Sequence, residues 1–411
     1  MVANKNKIIN DPVYGFVTIP TNLIFDIIEE PVFQRLRRIK QLGLTDFVYP
    51  GALHTRFQHA IGAMHLMSKA LSSLRKKGNI ISNDEMEATQ IAILLHDIGH
   101  GPFSHTLEAS ILTGVNHEEI SLLLMKNLNI KFDGALDLAL KIFNNTYHRH
   151  FFHQLVSSQL DVDRLDYLQR DCFFTGVSEG AIGAERIIQM LAISNDNIVV
   201  EEKGIYSVEN FLNSRRFMYW QVYLHKTTVS AEIMLIQIIK RAKDLIHKGE
   251  SVFATPSLMT FLSQDITIDT FKNNSDIINS FILLDDYDIW TSIKLWIDHP
   301  DKVLSILSKM ILFRKIFKVI LSIEEPSEET IQLYEKQVAQ YYNLNDEEIK
   351  YFVLNGFITN AAYLAGNESI NVISKKGEVS DITLASDLPN IKAMSKIVKK
   401  FYLCWPRELI L

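Results

Sequence analysis

The sequence predicts a mainly α-helical chain with a small β-hairpin, followed by an α+β C-terminal region. Two observations lead there. Through about residue 240, apolar residues recur at helical spacing between capping and breaking residues. Past about residue 250, helical runs continue but are joined by a hairpin signal. At 411 residues the chain can bury a large core in one to three domains. The expected division is a helical core over 1–250 and a region over 251–411 packed on it, the latter a candidate for oligomerisation.

Pro31 is placed to open a helix and Gly43 to close it, with Phe33, Leu36, Ile39 and Leu42 as its apolar stripe. A second helix is expected over 58–76, carrying Ile61, Met64, Leu66 and Leu71. A third runs over 84–97, and Pro102 then initiates another. Asn116, with Glu119 three residues on, reads as a capping box for a helix through Leu124. That leaves His117 in the first turn to project into a site. Residues 197–208 suggest a β-hairpin turning at Lys203-Gly204, and one long helix is expected over 208–247. The turn Lys375-Lys376-Gly377-Glu378 marks a second hairpin within 370–384. No catalytic constellation stands out in the C-terminal third.

Composition narrows the function classes. With 47% hydrophobic and 22% charged residues, the chain fits a globular protein in water. No apolar run approaches the roughly 18–20 residues that span a bilayer, and the first residues lack the apolar core of a secretory signal. Cys172 and Cys404 form neither a disulfide framework nor a zinc pattern, so a reducing cytoplasm is expected. A net charge of −6 argues against a surface that coats nucleic acid. Locally the sign reverses at Arg35, Arg37, Arg38 and Lys40. Arg56, Arg164, Arg170, Arg215, Arg216 and Lys226 also fall near candidate motifs, which points to a small, highly charged anion as ligand.

The densest chemistry lies in Ala92–His105, where an apolar helical run ends in His96-Asp97 and is followed by His100 and His105. A histidine and a carboxylate at a helix end suit a first-row divalent ion, and neighbouring imidazoles suit acid and base work. Such an ion needs roughly four protein ligands with positions left open for water and substrate. His59, opening an amphipathic helix after Pro50-Gly51, is the best third ligand; His65, nearly two turns on, reads as structural. The fourth should be a carboxylate from the aspartate-rich run 159–171. Asp161 suits an N-cap. Asp163 shares a helix face with Asp166, Tyr167 and Arg170, and is the chosen ligand. His105 and Glu108, one turn apart, pair an imidazole with a carboxylate that orients it and raises its pKa.

With these residues in hand, the chain resembles the HD-domain metal phosphohydrolases, whose signature is a spaced His…His-Asp…Asp, here His59, His96-Asp97 and Asp163. Within that superfamily it is similar to the deoxynucleoside triphosphate (dNTP) triphosphohydrolases, which include the vertebrate SAM-and-HD-domain enzyme and shorter bacterial relatives. The similarity runs over about residues 7–235 and rests on long ordered blocks. They include Phe33–Gly43, Tyr49–His59, His96–His105 and Asp161–Asp171. No SAM domain is expected.

The resemblance implies an HD-domain helical core and a reaction that splits a dNTP into deoxynucleoside and inorganic triphosphate. It implies one divalent ion (manganese, iron, magnesium, zinc or nickel) on His59, His96, Asp97 and Asp163. His100, His105 and His117 would line the α-phosphate, with His105 protonating the leaving 5′-oxygen and Glu108 supporting it. Arg56, Arg164 and Arg215 would grip the triphosphate. Gln41, Leu42, Tyr167, Asp171 and Tyr223 would hold the deoxyribose, Asp171 accepting from the 3′-hydroxyl and the Tyr223 ring excluding a 2′-hydroxyl. Lys7, Asn10, Gln34 and Arg37 match the site for an activating nucleotide, GTP or dGTP, in relatives that assemble as dimers or tetramers.

Three departures stand out. Glu108 and Arg164 replace an aspartate and a lysine of the vertebrate enzyme, and Glu29 replaces an activator-contacting aspartate. Two other readings share the signature: hydrolysis of a different nucleotide or phosphate ester, and non-catalytic nucleotide sensing. The sugar-shaped set Gln41, Tyr167, Asp171 and Tyr223 argues against the first. The intact set His59, His96, Asp97, His105 and Asp163 argues against the second.

Overall fold

The chain enters through an antiparallel ribbon, β1 (Ile8–Asp11) and β2 (Gly15–Thr18), turned at Gly15 with φ +73°. The computed structural model describes residues 7–409, apart from 105, 107–109, 111, 113, 361–362, 364–368 and 394–396. Helices used below are numbered in chain order. After α1 (Asn22–Ile28), capped by the Thr21 hydroxyl, come α2 (Arg56–Lys76) and α3 (Asn83–Leu95). Each begins at a cap written in the sequence: Gln58 Oε1 accepts from Thr55 N at 2.9 Å, and Ser82 Oγ accepts from Glu85 N at 3.1 Å. The Asn116/Glu119 box opens α4 (His117–Lys131) as expected, Asn116 Oδ1 accepting from Glu119 N at 2.8 Å. Asp161 caps α5 (Val162–Thr175) through Arg164 N at 2.7 Å.

Helix α2 is the axis of the fold. Its buried residues include Phe57, Ala60, Ile61, Ala63, Met64, Leu66, Met67, Ala70 and Leu71, and it packs on α3 and α5. These belong to one hydrophobic cluster that runs from Val17 to Trp405. The mainly α fold class holds. Among the described residues no helix is long and apolar enough to cross a membrane.

Three elements differ from the sequence reading. The helix expected over 31–43 is an α-turn at Pro31–Gln34 followed by a 3₁₀ turn at Arg35–Arg38, and Ile39 is extended. Arg35 is responsible: fully buried, it donates to the carbonyls of Leu284 at 2.8 Å and His100 at 2.7 Å, which pulls the chain out of helical register. The first hairpin is β3 (Leu191–Ser194) with β4 (Asn197–Glu201), and it turns at Asn195-Asp196 rather than Lys203-Gly204. Both turn residues have positive φ, +50° and +59°, which asparagine and aspartate tolerate in the tightest hairpin turns. The long helix over 208–247 is two: α6 (Ile205–Met218) and α7 (Lys226–His247), separated by a π-turn at Tyr219–Tyr223 and a cap at His225. Such wide turns cluster at functional sites.

The second hairpin forms as expected, β7 (Asn371–Ile373) with β8 (Val379–Asp381), turning through Gly377 at φ +85°. β7 lies parallel to β4, giving a four-stranded sheet ordered β3-β4-β7-β8. A separate antiparallel sheet orders β5 (Lys318–Ser322), β9 (Val398–Trp405) and β6 (Leu354–Asn360). Ahead of these, α8 (Asp286–Trp296) reaches back to the N-terminal region: Asp286 accepts from Lys40 N and Phe103 N, each at 2.9 Å.

Candidate active site

Four side chains, from two helices and the end of a third, converge on a single point. α2 supplies His59, α5 supplies Asp163, and the chain leaving α3 supplies His96 and Asp97. His59 Nε2 lies 3.0 Å from Asp163 Oδ1 and 3.4 Å from His96 Nε2. His96 Nε2 lies 3.3 Å from Asp163 Oδ1 and 3.2 Å from Asp97 Oδ1. The other nitrogen of each ring is already used: His59 Nδ1 donates to Asp166 Oδ2 at 2.7 Å, and His96 Nδ1 to the Ile93 carbonyl at 2.6 Å. Both Nε2 atoms are thereby aimed at the carboxylates, the arrangement that metal-binding imidazoles adopt.

The electrostatics ask for a cation. Burial alone lowers the His59 imidazolium, yet hydrogen bonds to Asp163 and Asp166 carry it up to about 10. His96 also rises against burial, through Asp97 and Asp163. Asp97 and Asp163 fall below the usual carboxylate range despite burial, both held down first by His96. Two carboxylates and two imidazoles thus gather positive charge about them, and a divalent ion on this N/O donor set satisfies the same demand. His59, His96 and Asp163 form one group whose ligand atoms could hold a metal ion; Asp97, His100 and His117 form another beside it.

The loop leaving the cluster is shaped by Gly99. A Cβ there would lie 2.2 Å from the His117 carbonyl and 2.4 Å from Ser121 N, so only glycine lets the start of α4 pack against it. Ser121 Oγ accepts from Gly99 N and donates to the His96 carbonyl, at 2.9 and 2.7 Å. His117 then stacks on His100 with ring centroids 3.8 Å apart. Burial, then the Arg56 charge, hold His100 well below its ordinary value, so it is a neutral imidazole. Arg56 pairs with Asp97 and donates Nε to Ser104 Oγ at 2.9 Å. Phe103 and Ser104 both sit at φ +54°, a strained backbone of the kind found at functional sites. His105 and Glu108 lie outside the described residues.

A cavity of about 490 Å³ opens beside the cluster. That suits a small-molecule site. Gln41, Leu42, Arg56, Asp97, His100, His117, Asp163, Arg164, Tyr167, Asp171 and Tyr223 all line it. Gln41 Oε1 is buried with no hydrogen-bond partner among the described residues. Tyr223 donates to Asp171 Oδ2 at 2.7 Å, and His54 Nε2 donates to Asp171 Oδ1 at 2.7 Å. Each carboxylate oxygen keeps a second lone pair for a ligand. The π-turn delivers Tyr219 and Tyr223, whose rings meet edge to face at 5.2 Å. A second cavity, of about 510 Å³, shares Asp97, His117, Asp163 and Arg164 and is lined further by His96, Phe143 and His153.

Other residues singled out from sequence have partners within the chain. Arg215 donates to Gln159 Oε1 at 3.2 Å and lies over the Tyr219 ring, and it is absent from the described lining of the cavity. Arg164 pairs with its own helix cap, Asp161. Arg38 pairs with Asp285 and Lys40 with Asp46. Lys7 lies 2.6 Å over the Phe25 ring and Asn10 sits on β1 opposite Phe16. Gln34 donates to the Ile28 carbonyl at 2.7 Å and accepts from Arg37, which covers the Phe57 ring at 3.5 Å. His65 lines a separate cavity of about 560 Å³ on another face of α2, with Ser68, Lys69 and Gln90.

Sequence reasoning missed the support behind the cluster. Arg170 does not face the cavity with Asp163: its guanidinium turns inward, donating Nε to Asp166 Oδ2 at 2.9 Å and Nη1 to Asp11 Oδ2 at 2.8 Å, all fully buried. Asp166 in turn fixes His59. The pair fits only because position 62 is glycine, where a Cβ would fall 2.0 Å from Arg170 Nη2 and 2.1 Å from Asp166 Oδ1. A glycine in mid-helix and the Asp166/Arg170 spacing were the available signals. His54 and Asp286 had none.

Two family matches cover much of this region: the HD domain over residues 56–171 and the HD associated region over residues 182–255. The Bacillus subtilis protein YwfO is 31% identical over 425 residues, spanning 99% of this chain and 94% of that one. A crystallised phosphohydrolase from Bacteroides thetaiotaomicron superposes with a TM-score of 0.94 at 54% identity, covering 98% of this chain and 100% of that one. A Dictyostelium discoideum protein named as a homologue of the deoxynucleoside triphosphate triphosphohydrolase SAMHD1 is 31% identical over 275 residues. That match takes in 60% of this chain and 52% of the relative, so this chain spans about half of its length. By these matches, this chain belongs to the HD-domain phosphohydrolases, in the group that resembles the deoxynucleoside triphosphate triphosphohydrolases.

Proposed function

We propose that this chain hydrolyses a dNTP to a deoxynucleoside and inorganic triphosphate. The observation that supports it best is one continuous cavity. It runs from Asp97 and Asp163, the cluster's two carboxylates, past Arg56 and Arg164 to a wall of Gln41, Tyr167, Asp171 and Tyr223. The first end suits phosphates and the second a sugar. A divalent ion on the four cluster residues, when bound, supplies Lewis acidity at a phosphoryl oxygen and lowers the pKa of a coordinated water.

The chain's own groups do the rest. Arg56 and Arg164 project guanidinium groups that match phosphate oxygens in pairs. His100 and His117 present imidazoles to the α-phosphate side, and Asp171 and Gln41 offer acceptors to the sugar. By the resemblance, His105 would protonate the leaving 5′-oxygen as general acid, with Glu108 supporting it. Attack at the α-phosphorus with that proton transfer leaves an unbroken triphosphate.

Two tests follow from this assignment. His105→Ala should slow turnover by roughly 10²–10⁴-fold, the usual range for a lost general acid. Product chromatography on the parent should give deoxynucleoside and triphosphate; pyrophosphate plus monophosphate, or stepwise orthophosphate, would mean a different phosphorus is attacked. The second concerns sugar choice. Burial and Asp171 hold the Tyr223 phenol well above its ordinary value, so it stays a neutral donor with its ring packed in the wall. Tyr223→Ala should narrow the preference for dNTPs over NTPs, because the extra hydroxyl then finds room and solvent. An unchanged ratio of kcat/KM values would make Tyr223 a packing residue only.

A further inference from the structure

The cavity contains one carboxylate that the reading above leaves without work. Glu232, in the second turn of α7, lines the same cavity as Gly43, Thr45 and Leu224. It is half-buried, because it faces the cavity, yet it lies deep enough for burial to push its carboxyl up to about 7. The Thr106 hydroxyl, its hydrogen-bond partner, opposes that rise only in part. The other charged groups on the lining are held by partners: Arg56 by Asp97, Arg164 by Asp161, Asp163 by His59, and Asp171 by His54 and Tyr223. Among the described residues no cation pairs with Glu232. An uncompensated carboxylate repels a polyanionic substrate, so a ligand group that donates hydrogen bonds has to offset its presence.

Phosphate and sugar offer little of that kind. Triphosphate oxygens are acceptors, and the sugar hydroxyls already have Asp171 and Gln41. The remaining part of a nucleotide is its base. An ionised carboxylate accepts two parallel donors at once, and it binds such pairs far better than single donors. On its pairing edge guanine presents two adjacent donors, N1–H and N2–H. Adenine and cytosine each present one donor beside an acceptor, and thymine presents one donor between two carbonyls. We propose that Glu232 is a specificity-determining residue that reads the pairing edge of guanine, which rests on the nucleotide reading of this cavity.

A glutamine in the same place carries one acceptor and one donor, so it matches the donor–acceptor edges of adenine and cytosine and can no longer accept from both guanine donors at once. The experiment is calorimetric binding of deoxyguanosine, deoxyadenosine, deoxycytidine and thymidine to the full chain at pH 8, where the carboxyl is ionised. It is run on the parent, Glu232→Gln and Glu232→Leu, with hydrolysis of the four dNTPs measured in parallel. The parent should bind deoxyguanosine roughly tenfold or more above the other three, the discrimination typical of a bidentate contact. Glu232→Gln should lose that advantage and bind deoxyadenosine and deoxycytidine at least as well as deoxyguanosine, a change that a merely structural carboxyl does not produce. Glu232→Leu should bind all four alike. Equal affinities in the parent, no nucleoside binding at all, or a guanine preference that survives Glu232→Gln would each overturn the proposal. Base-selective binding without hydrolysis of any dNTP would instead sink the reaction and leave the base reading standing. Hydrolysis without base selection would do the reverse.

Discussion

His96→Ala and Asp97→Ala should each strip the protein of bound divalent metal and reduce turnover by about 10³-fold or more, the scale of lost metal-derived charge stabilisation. The secondary structure and melting profile should stay close to the parent's. The expectation comes from geometry: the two residues sit consecutively at the end of α3, so neither holds the core together. His96 Nε2 and Asp97 Oδ1, 3.2 Å apart, face the same point as His59 and Asp163. Removing either leaves an incomplete donor set. Elemental analysis of the purified variants, beside circular dichroism, checks it. Full metal occupancy in both variants would place the ion elsewhere.

Arg170→Leu should destabilise the protein by about 3–5 kcal/mol, because it leaves the buried Asp166 and Asp11 carboxylates without their shared cation. Asp166 and Asp11 share the one guanidinium, and neither has solvent to turn to. Arg170 raises no charge toward the cavity, so the loss should appear first in chemical denaturation and only afterwards, through a misoriented His59, in metal affinity. Gly62→Ala probes the same contact from the other side, since its methyl would meet Arg170 Nη2 at 2.0 Å. A denaturation midpoint unchanged in Arg170→Leu would mean that the His59 imidazole and the backbone amides at Asp11 hold the two carboxylates without it.

What was readable in the sequence was local. Caps are written within a few residues of one another, so Asn116 with Glu119, and Asp161 apart from Asp163, could be assigned without knowing the fold. The cluster was readable for another reason: few residue types make a metal-suited donor set, and they stand in a fixed order. Hidden were the features that depend on pairing across the chain. Nothing near Arg170 announces Asp11 as its partner, 159 positions away. Periodicity alone also pointed Arg170 the wrong way, because 3.6-residue spacing gives a face but not which side of it packs against glycine. The π-turn at Tyr219–Tyr223 escaped for a related reason. Its residues are ordinary helix material, and the extra residue per turn is imposed by the wall they build.

Asp286 bears on the order in which the protein comes into being. Its carboxylate takes the backbone N–H of residue 40 with one oxygen and of residue 103 with the other, across 246 and 183 positions of sequence. It steadies the strained turn that places Ser104 under Arg56. A ribosome that has finished the whole histidine-rich run has therefore not yet made the clasp that fixes it. The emerging chain can collapse its helices as they appear, since domains fold during synthesis, but the catalytic wall has to wait for a late, distant residue. An unfinished chain thus holds the metal-suited residues without the finished cavity, and a cell making this protein meets its activity only once synthesis is well past the last residue that does chemistry.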